Sequence, residues 1–127
     1  MPLKIIIVGA GEVGFHIARR LAAENKEVTV IDRSAQALKR IVEYADVQVV
    51  EGPGSCPSTL RAAGVLESDI LLAVTDSDET NFIACTIANA LNPNITKLSR
   101  IRNEEYIDFH ERVLDIGKVI NPEEEVV

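Results

Sequence analysis

Three glycines near the start of the chain have the spacing of a phosphate-binding turn. Gly9, Gly11 and Gly14 form a G-x-G-x-x-G motif directly after the apolar run Ile5–Val8. In such a motif the first glycine permits a tight turn, the second admits a phosphate to the backbone, and the third lets the next helix pack closely. The first amides of that helix and the positive end of its dipole would attract the phosphate. The residues between the glycines would bind through the same backbone: Ala10, Glu12 and Val13.

An acidic residue stands where a ribose-binding carboxylate is expected. A second predicted strand, Val28–Asp32, ends in Asp32, 18 residues after Gly14. In dinucleotide-binding folds a carboxylate about 20 residues past the glycine motif binds the ribose hydroxyls. Asp32 would repel a 2′-phosphate and so favour NADH over NADPH, although the adjacent Arg33 carries the charge to accommodate that phosphate.

The order of the predicted elements indicates an α/β fold with a Rossmann-like, doubly wound parallel sheet. Apolar runs typical of buried parallel strands alternate with helical patterns. The expected order of the six strands is 3-2-1-4-5-6, with right-handed crossovers. The predicted strands are Lys4–Val8, Val28–Asp32, Val47–Val50, Ile70–Val74, Ile95–Ile101 and Lys118–Ile120. The predicted helices are Glu12–Ala23, one capped by Ser34, a short one from Pro57 to Gly64, Thr80–Leu91, and Glu104–Leu114 capped by Asn103.

Ligands of such sheets bind at the carboxyl ends of the strands, where the strand order reverses. Here that point lies between the first and fourth strands. It gathers four segments around one crevice: Gly9–Gly14, Asp32-Arg33, Gly52–Ser55 and Thr75-Asp76. Arg100 and Arg102 end the fifth strand on the same edge. The further candidate binding residues are therefore Gly54, Ser55, Thr75, Asp76 and Arg100.

Three helices carry apolar patterns that predict how they pack. The first has its stripe at Val13, Ile17, Ala18 and Leu21, and the second at Leu38, Ile41, Val42 and Ala45. The helix over Thr80–Leu91 has little polar surface, because Phe82, Ile83 and Ile87 exceed what one face can hide. A subunit interface is one way to bury such a helix.

Composition excludes several classes of protein. The chain has 127 residues, enough for one domain, and is 46% hydrophobic. Its net charge of −7 argues against nucleic-acid binding. No apolar run approaches the roughly 20 residues of a membrane span, and no signal peptide is visible. Cys56 and Cys85 form no C-x-x-C pair and fit a reducing compartment. His16 and His110 have no ligand-spaced partners, so neither a metal site nor a catalytic residue is predicted.

The chain resembles the TrkA N-terminal domain family, of the KTN or RCK class. The resemblance spans nearly the whole chain and is most specific in T-D-x-D-E-x-N at Thr75–Asn81 and R-I-R-x-x-E-Y at Arg100–Tyr106. It implies a cytoplasmic, non-enzymatic nucleotide-binding regulator of a membrane potassium transporter or channel. It also implies dimers that build a larger ring, without direct insertion into the membrane.

The resemblance also implies which residues hold the nucleotide. The family's contacts correspond here to Gly9–Val13, Asp32, Thr75, Asp76 and Arg100. The chain departs from the family at Pro53-Gly54, which offer no side-chain donor. Some ATP-preferring relatives have arginine at the position of Glu12, and a carboxylate there would repel a terminal phosphate. NAD or NADH is therefore the expected cofactor, with ATP or ADP as the alternative.

The expected domain covers residues 1–120. Asn121-Pro122 followed by Glu123 is typical of a helix start, so residues 121–127 are expected to lead into a region absent from this chain. The acids Asp76, Asp78 and Glu79 either match the positive, N-terminal end of the helix that follows them or hold a divalent cation. Two alternatives share the fold: the nucleotide-binding part of an NAD-dependent oxidoreductase, and the Rossmann tail of an ion exchanger.

Overall fold

A single parallel sheet organises the protein. The structure is a computed structural model that describes residues 2–108 and 118–120. Its strands are β1 (Lys4–Val8), β2 (Glu27–Asp32), β3 (Gln48–Glu51), β4 (Ile70–Ala73), β5 (Thr96–Arg100) and β6 (Lys118–Ile120). All five neighbouring pairs are parallel, in the order β3-β2-β1-β4-β5-β6, which confirms the predicted class and strand order.

The helices follow the predicted order. They are α1 (Glu12–Ala23), α2 (Ala35–Tyr44), α3 (Pro57–Ala62) and α4 (Asp78–Leu91), with a 3-10 turn at Val65–Glu67 that the sequence did not predict. Residues 104–108 form a fifth helix. The rest of that predicted helix, His110, and the expected helix start at Asn121 lie outside the described residues. Across the described ranges, no helix has both the length and the apolar character needed to cross a membrane.

Helices pack on both faces of the sheet because side chains alternate along each strand. Ile5 and Ile7 of β1 belong to a buried cluster with side chains of α1 and α2. Ile6 and Val8 belong to the cluster formed by α3, α4 and the 3-10 turn. These four side chains are at most 3% exposed, so β1 is the centre of both layers.

The buried faces of α1 and α2 differ from the predicted stripes. The predicted stripe of α1 does face the core, since Ala18 is fully buried and Val13, Ile17 and Leu21 are half-buried against the same cluster, but the most buried large side chain of the helix is Phe15, 3% exposed, which was not predicted. The reason is the neighbouring helix, because the Arg40 guanidinium of α2 lies 3.8 Å from the centroid of the Phe15 ring. The prediction for α2 was right for Leu38 and Ile41 and wrong for Val42, which is 49% exposed. Beyond α2 the described sheet ends at the edge strand β3, so no further strand of the described residues extends it beneath Val42.

Helix α4 packs most of its apolar surface on its own sheet. It begins at Asp78, two residues before the predicted start, because the Ser77 side chain accepts a hydrogen bond from the Thr80 N–H at 3.1 Å. Ala84, Cys85 and Ala88 are fully buried, and burial raises the pKa of the Cys85 thiol to about 12. Ile83 is 43% exposed and forms the apolar part of the outer face.

Candidate nucleotide-binding site

The glycine turn joins β1 to α1 at the carboxyl edge of the sheet. Gly9 has a φ of +116°, which L side chains rarely adopt, and its N–H donates to the Ile31 carbonyl at 2.8 Å. Gly14 lies directly over this turn, since a Cβ added to it would overlap the Gly9 carbonyl oxygen. The first helical hydrogen bond of α1 runs from the Phe15 N–H to the Gly11 carbonyl at 2.8 Å. The amides that precede Phe15 at the helix start therefore have no helical acceptor and are available to an anion.

Asp32 ties this turn to the start of α2. Its Oδ2 accepts from the Ala10 N–H at 2.7 Å, and its Oδ1 accepts from the Ser34 N–H at 2.8 Å. A carboxylate has about four acceptor positions, so each oxygen keeps one for a ribose hydroxyl. The Ala10 amide, in contrast, is already used by Asp32. Ser34 is the predicted N-cap of α2, and its Oγ accepts from the Ala37 N–H at 3.1 Å.

Asn81 fixes the far side of the turn. Its Oδ1 accepts from the Thr75 N–H at 3.0 Å and from the Thr75 hydroxyl at 2.7 Å. Its Nδ2 donates to the Thr75 carbonyl at 3.1 Å and to the Arg100 carbonyl at 2.7 Å. These four bonds use the full capacity of the amide. Asn81 therefore holds the end of β4 and the end of β5 at a fixed separation.

Arg100 brings positive charge to the same edge. Its side chain is 9% exposed, and its Nη1 donates to Asp76 Oδ1 at 3.1 Å and to the Thr75 carbonyl at 3.3 Å. Its buried Nε has no acceptor among the residues that the structure describes. Arg102 Nη2 lies 3.6 Å from the same Asp76 oxygen. The Asp76 carboxylate thus bridges two guanidinium groups.

Most of the predicted site residues meet at one crevice of about 340 Å³. Those that line it are Gly9, Gly11, Glu12, Val13, Asp32, Thr75, Asp76 and Arg100. An adjoining cavity of about 230 Å³ shares four of these residues and adds Arg33 and Gly54. Three predicted residues line neither cavity. Ala10 and Gly14 are buried, and Ser55 is exposed elsewhere on the surface.

Glu12 is paired in a way that the sequence did not reveal. Its carboxylate lies 3.1 Å from Arg40 Nη1 and 3.6 Å from His16 Nε2. Arg40 partly neutralises the charge that was expected to repel a terminal phosphate. Glu12 would therefore repel the terminal phosphate of ATP less strongly than expected, because Arg40 reaches the site from another helix.

The other polar groups near the crevice have structural partners. Asp78 accepts from the backbone N–H groups of Arg102 and Asn103 at 3.0 and 2.9 Å, which joins α4 to the turn after β5. Within residues 2–108 and 118–120 no cluster of His, Cys, Asp and Glu has the arrangement of a metal site.

In the loop beside Gly54, the Ser58 hydroxyl lies 3.2 Å from the Cys56 sulfur and lowers the pKa of that thiol.

Comparison with known proteins identifies the family. The family model of the TrkA-N domain matches residues 5–122. The chain belongs to the TrkA-N domain family. It is 41% identical over 128 residues to the Trk system potassium uptake protein TrkA of Halomonas elongata, covering 98% of this chain but 28% of that protein. The chain therefore spans less than a third of the length of this curated relative.

Solved structures share the TrkA-N fold. The TrkA-N domain of the inner membrane protein ybaL from Escherichia coli superposes with a TM-score of 0.89 at 20% identity, covering 99% of this chain and 92% of that one. The GsuK channel bound to NAD superposes with a TM-score of 0.80 at 18% identity, covering 94% of this chain and 21% of that one. At these identities the likeness establishes the fold.

The motif that most specifically resembles the TrkA-N family contains one residue, Asn81, whose role was not predicted from the sequence. Asn81 ends T-D-x-D-E-x-N, and the structure makes it the connection between Thr75 and Arg100. The available signal was a polar amide within an apolar helix. A buried amide needs partners for all its polar atoms, and Asn81 is 0% exposed.

Proposed function

We propose that this chain binds NAD or NADH in the crevice and is the regulatory nucleotide-binding domain of a membrane potassium transporter. The nucleotide would act as a signal that shifts a conformational equilibrium of the transporter, and not as a reactant. The domain would work in the cytoplasm, held at the inner face of the membrane by its transporter. ATP or ADP is the alternative ligand for the same crevice.

The observation that carries the proposal is the convergence of three kinds of group on one crevice. Helix-start amides after Gly11, the Asp32 carboxylate and the Arg100 guanidinium all reach it. Family membership and the potassium uptake relative support the transport role. The GsuK channel bound to NAD, which shares the fold, supports the choice of ligand.

Each part of the crevice has a role in this proposal. The amides of residues 11–13 would hold the diphosphate, Asp32 would accept from the ribose hydroxyls, and Thr75-Asp76 would form the opposite wall. The net charge of −7 opposes any anion. Preorganised amides and Arg100 must therefore supply most of the attraction.

NADH is expected to bind about tenfold more tightly than NADPH. A 2′-phosphate would approach Asp32, and two solvent-screened charges roughly 4 Å apart repel by about 1 to 1.5 kcal/mol, which corresponds to about tenfold in affinity. Titration calorimetry with both ligands measures the ratio. Arg33→Gln is the informative control: it should leave NADH affinity unchanged and weaken NADPH further, because Arg33 is exposed beside Asp32. Equal affinities for the two ligands in the wild-type protein would refute the assignment of Asp32 to the ribose.

The domain is also expected to self-associate through the outer face of α4. Ile83 is 43% exposed there, and Phe82 and Ile87 on the same helix are half-buried. Sedimentation velocity should detect dimers that Ile83→Asn converts to monomers. The matched control is Val42→Asn, because Val42 is 49% exposed on α2, in the other layer. A wild-type monomer at high concentration, or equal effects of the two substitutions, would contradict this interface.

A further inference from the structure

Asp76 occupies the crevice as the counter-ion of its two arginines. Both guanidinium groups contact one oxygen, Oδ1, at 3.1 Å from Arg100 and 3.6 Å from Arg102. The Asp76 side chain is 89% exposed, whereas the Arg100 side chain is 9% exposed. The arginine is therefore fixed by its surroundings, and the carboxylate is the partner that can move away.

An exposed carboxylate holds an arginine weakly. The attraction within such an exposed ion pair is weak in water, because solvent and salt screen the two charges. Each phosphate of the NADH diphosphate offers charge-assisted acceptor oxygens as a carboxylate does, and the diphosphate as a whole carries more negative charge and more free oxygens than one carboxylate. Near a bound phosphate the Asp76 charge would also be repelled. Both effects favour replacement of the carboxylate by a phosphate.

We propose that Asp76 is an internal competitor of the nucleotide phosphate for Arg100 and Arg102. In the ligand-free domain its carboxylate satisfies the two guanidinium groups and keeps them at the crevice. On binding, the phosphate takes this place and Asp76 turns towards solvent. This inference rests on the proposed function, and it reverses the role of Asp76 implied by family resemblance, from attractive contact to a group that limits affinity.

The displacement would also reach beyond the crevice. Arg102 opens the turn whose backbone N–H groups are bound by Asp78, and this turn leads into the helix that begins at residue 104. Release of the Arg102 side chain from Asp76 would therefore change a contact of this junction when nucleotide binds. Coupling of this kind requires a difference in contacts between two states, and the exchange of carboxylate for phosphate supplies one.

The direction in which one substitution changes NADH affinity tests the competitor role. Asp76→Asn keeps an acceptor oxygen of the same shape and removes the charge, so NADH should bind about three- to tenfold more tightly at low salt. At about 0.5 M salt the gain should shrink, because exposed charges are screened. The matched control is Asp46→Asn, which changes net charge equally at the opposite, amino-terminal edge of the sheet and should leave affinity unchanged.

Titration calorimetry of NADH into the wild-type protein and both variants gives distinct outcomes. A gain for Asp76→Asn alone supports the competitor role. Unchanged or weaker binding by Asp76→Asn, beside a wild-type protein that binds, would overturn this inference and leave the proposed function standing. An equal gain in NADH affinity for Asp46→Asn would show that the effect comes from net charge alone, and this too would overturn the inference. Absence of NADH binding by all three proteins would overturn the proposed function, and this inference with it.

Discussion

Gly11→Val is expected to abolish NADH binding and leave the fold intact. A Cβ at Gly11 meets nothing within 4 Å, and the backbone there has a φ of −72° and a ψ of −165°, which a valine adopts. The added side chain would occupy the space before the free amides of α1, where the diphosphate is proposed to lie. At a hundredfold excess over its dissociation constant a ligand stabilises the folded state by about 2.7 kcal/mol. For a domain of this size the wild-type melting temperature should rise by about 10 °C, and the variant should lose that rise.

The unliganded melting temperature is the control for this experiment. It should be nearly the same in the two proteins, which separates loss of binding from loss of folding. A variant that melts normally and still shows the full NADH shift would mean that the diphosphate does not approach the backbone at Gly11.

Gly14→Ala, in contrast to Gly11→Val, is expected to destabilise the fold itself, by about 3 kcal/mol or more. The added Cβ would overlap the Gly9 carbonyl oxygen, and no side-chain rotation relieves this clash, because both atoms are held in place by the backbone. Helix α1 would have to move away from β1, where Ile7 and Phe15 pack in one buried cluster. Urea unfolding followed by circular dichroism measures the loss.

The matched variant for this comparison is Gly11→Ala, in the same loop. It adds the same methyl group where there is space, so its unfolding midpoint should stay close to that of the wild-type protein. An unchanged midpoint for Gly14→Ala would contradict the close packing of α1 on the turn.

The strands and the glycine turn could be predicted because their signals are local. Continuous apolar runs such as Ile5–Val8 require burial on both faces, and the spacing from Gly14 to Asp32 follows from one strand–helix–strand unit. The predicted bounds of α1 and β6 agree with the structure residue for residue. Strand order followed from the same rules, since right-handed crossovers leave few arrangements.

The contacts that shape the crevice could not be predicted, because they join residues far apart in sequence. Arg40 partly neutralises Glu12 and covers Phe15 from another helix. Asn81 binds the Arg100 carbonyl across 19 residues. Periodicity describes which face of a helix is apolar, but it does not say which neighbour will cover that face or which polar group will meet a partner there.

Titration of NADH into the wild-type domain and Gly11→Val in parallel tests most directly whether the crevice binds a dinucleotide. We expect saturable binding of one NADH per chain to the wild-type protein, weaker binding of NADPH, and no detectable binding to the variant. No heat of binding from the wild-type protein, or equal binding by the two proteins, would contradict the claim that this crevice is a dinucleotide site.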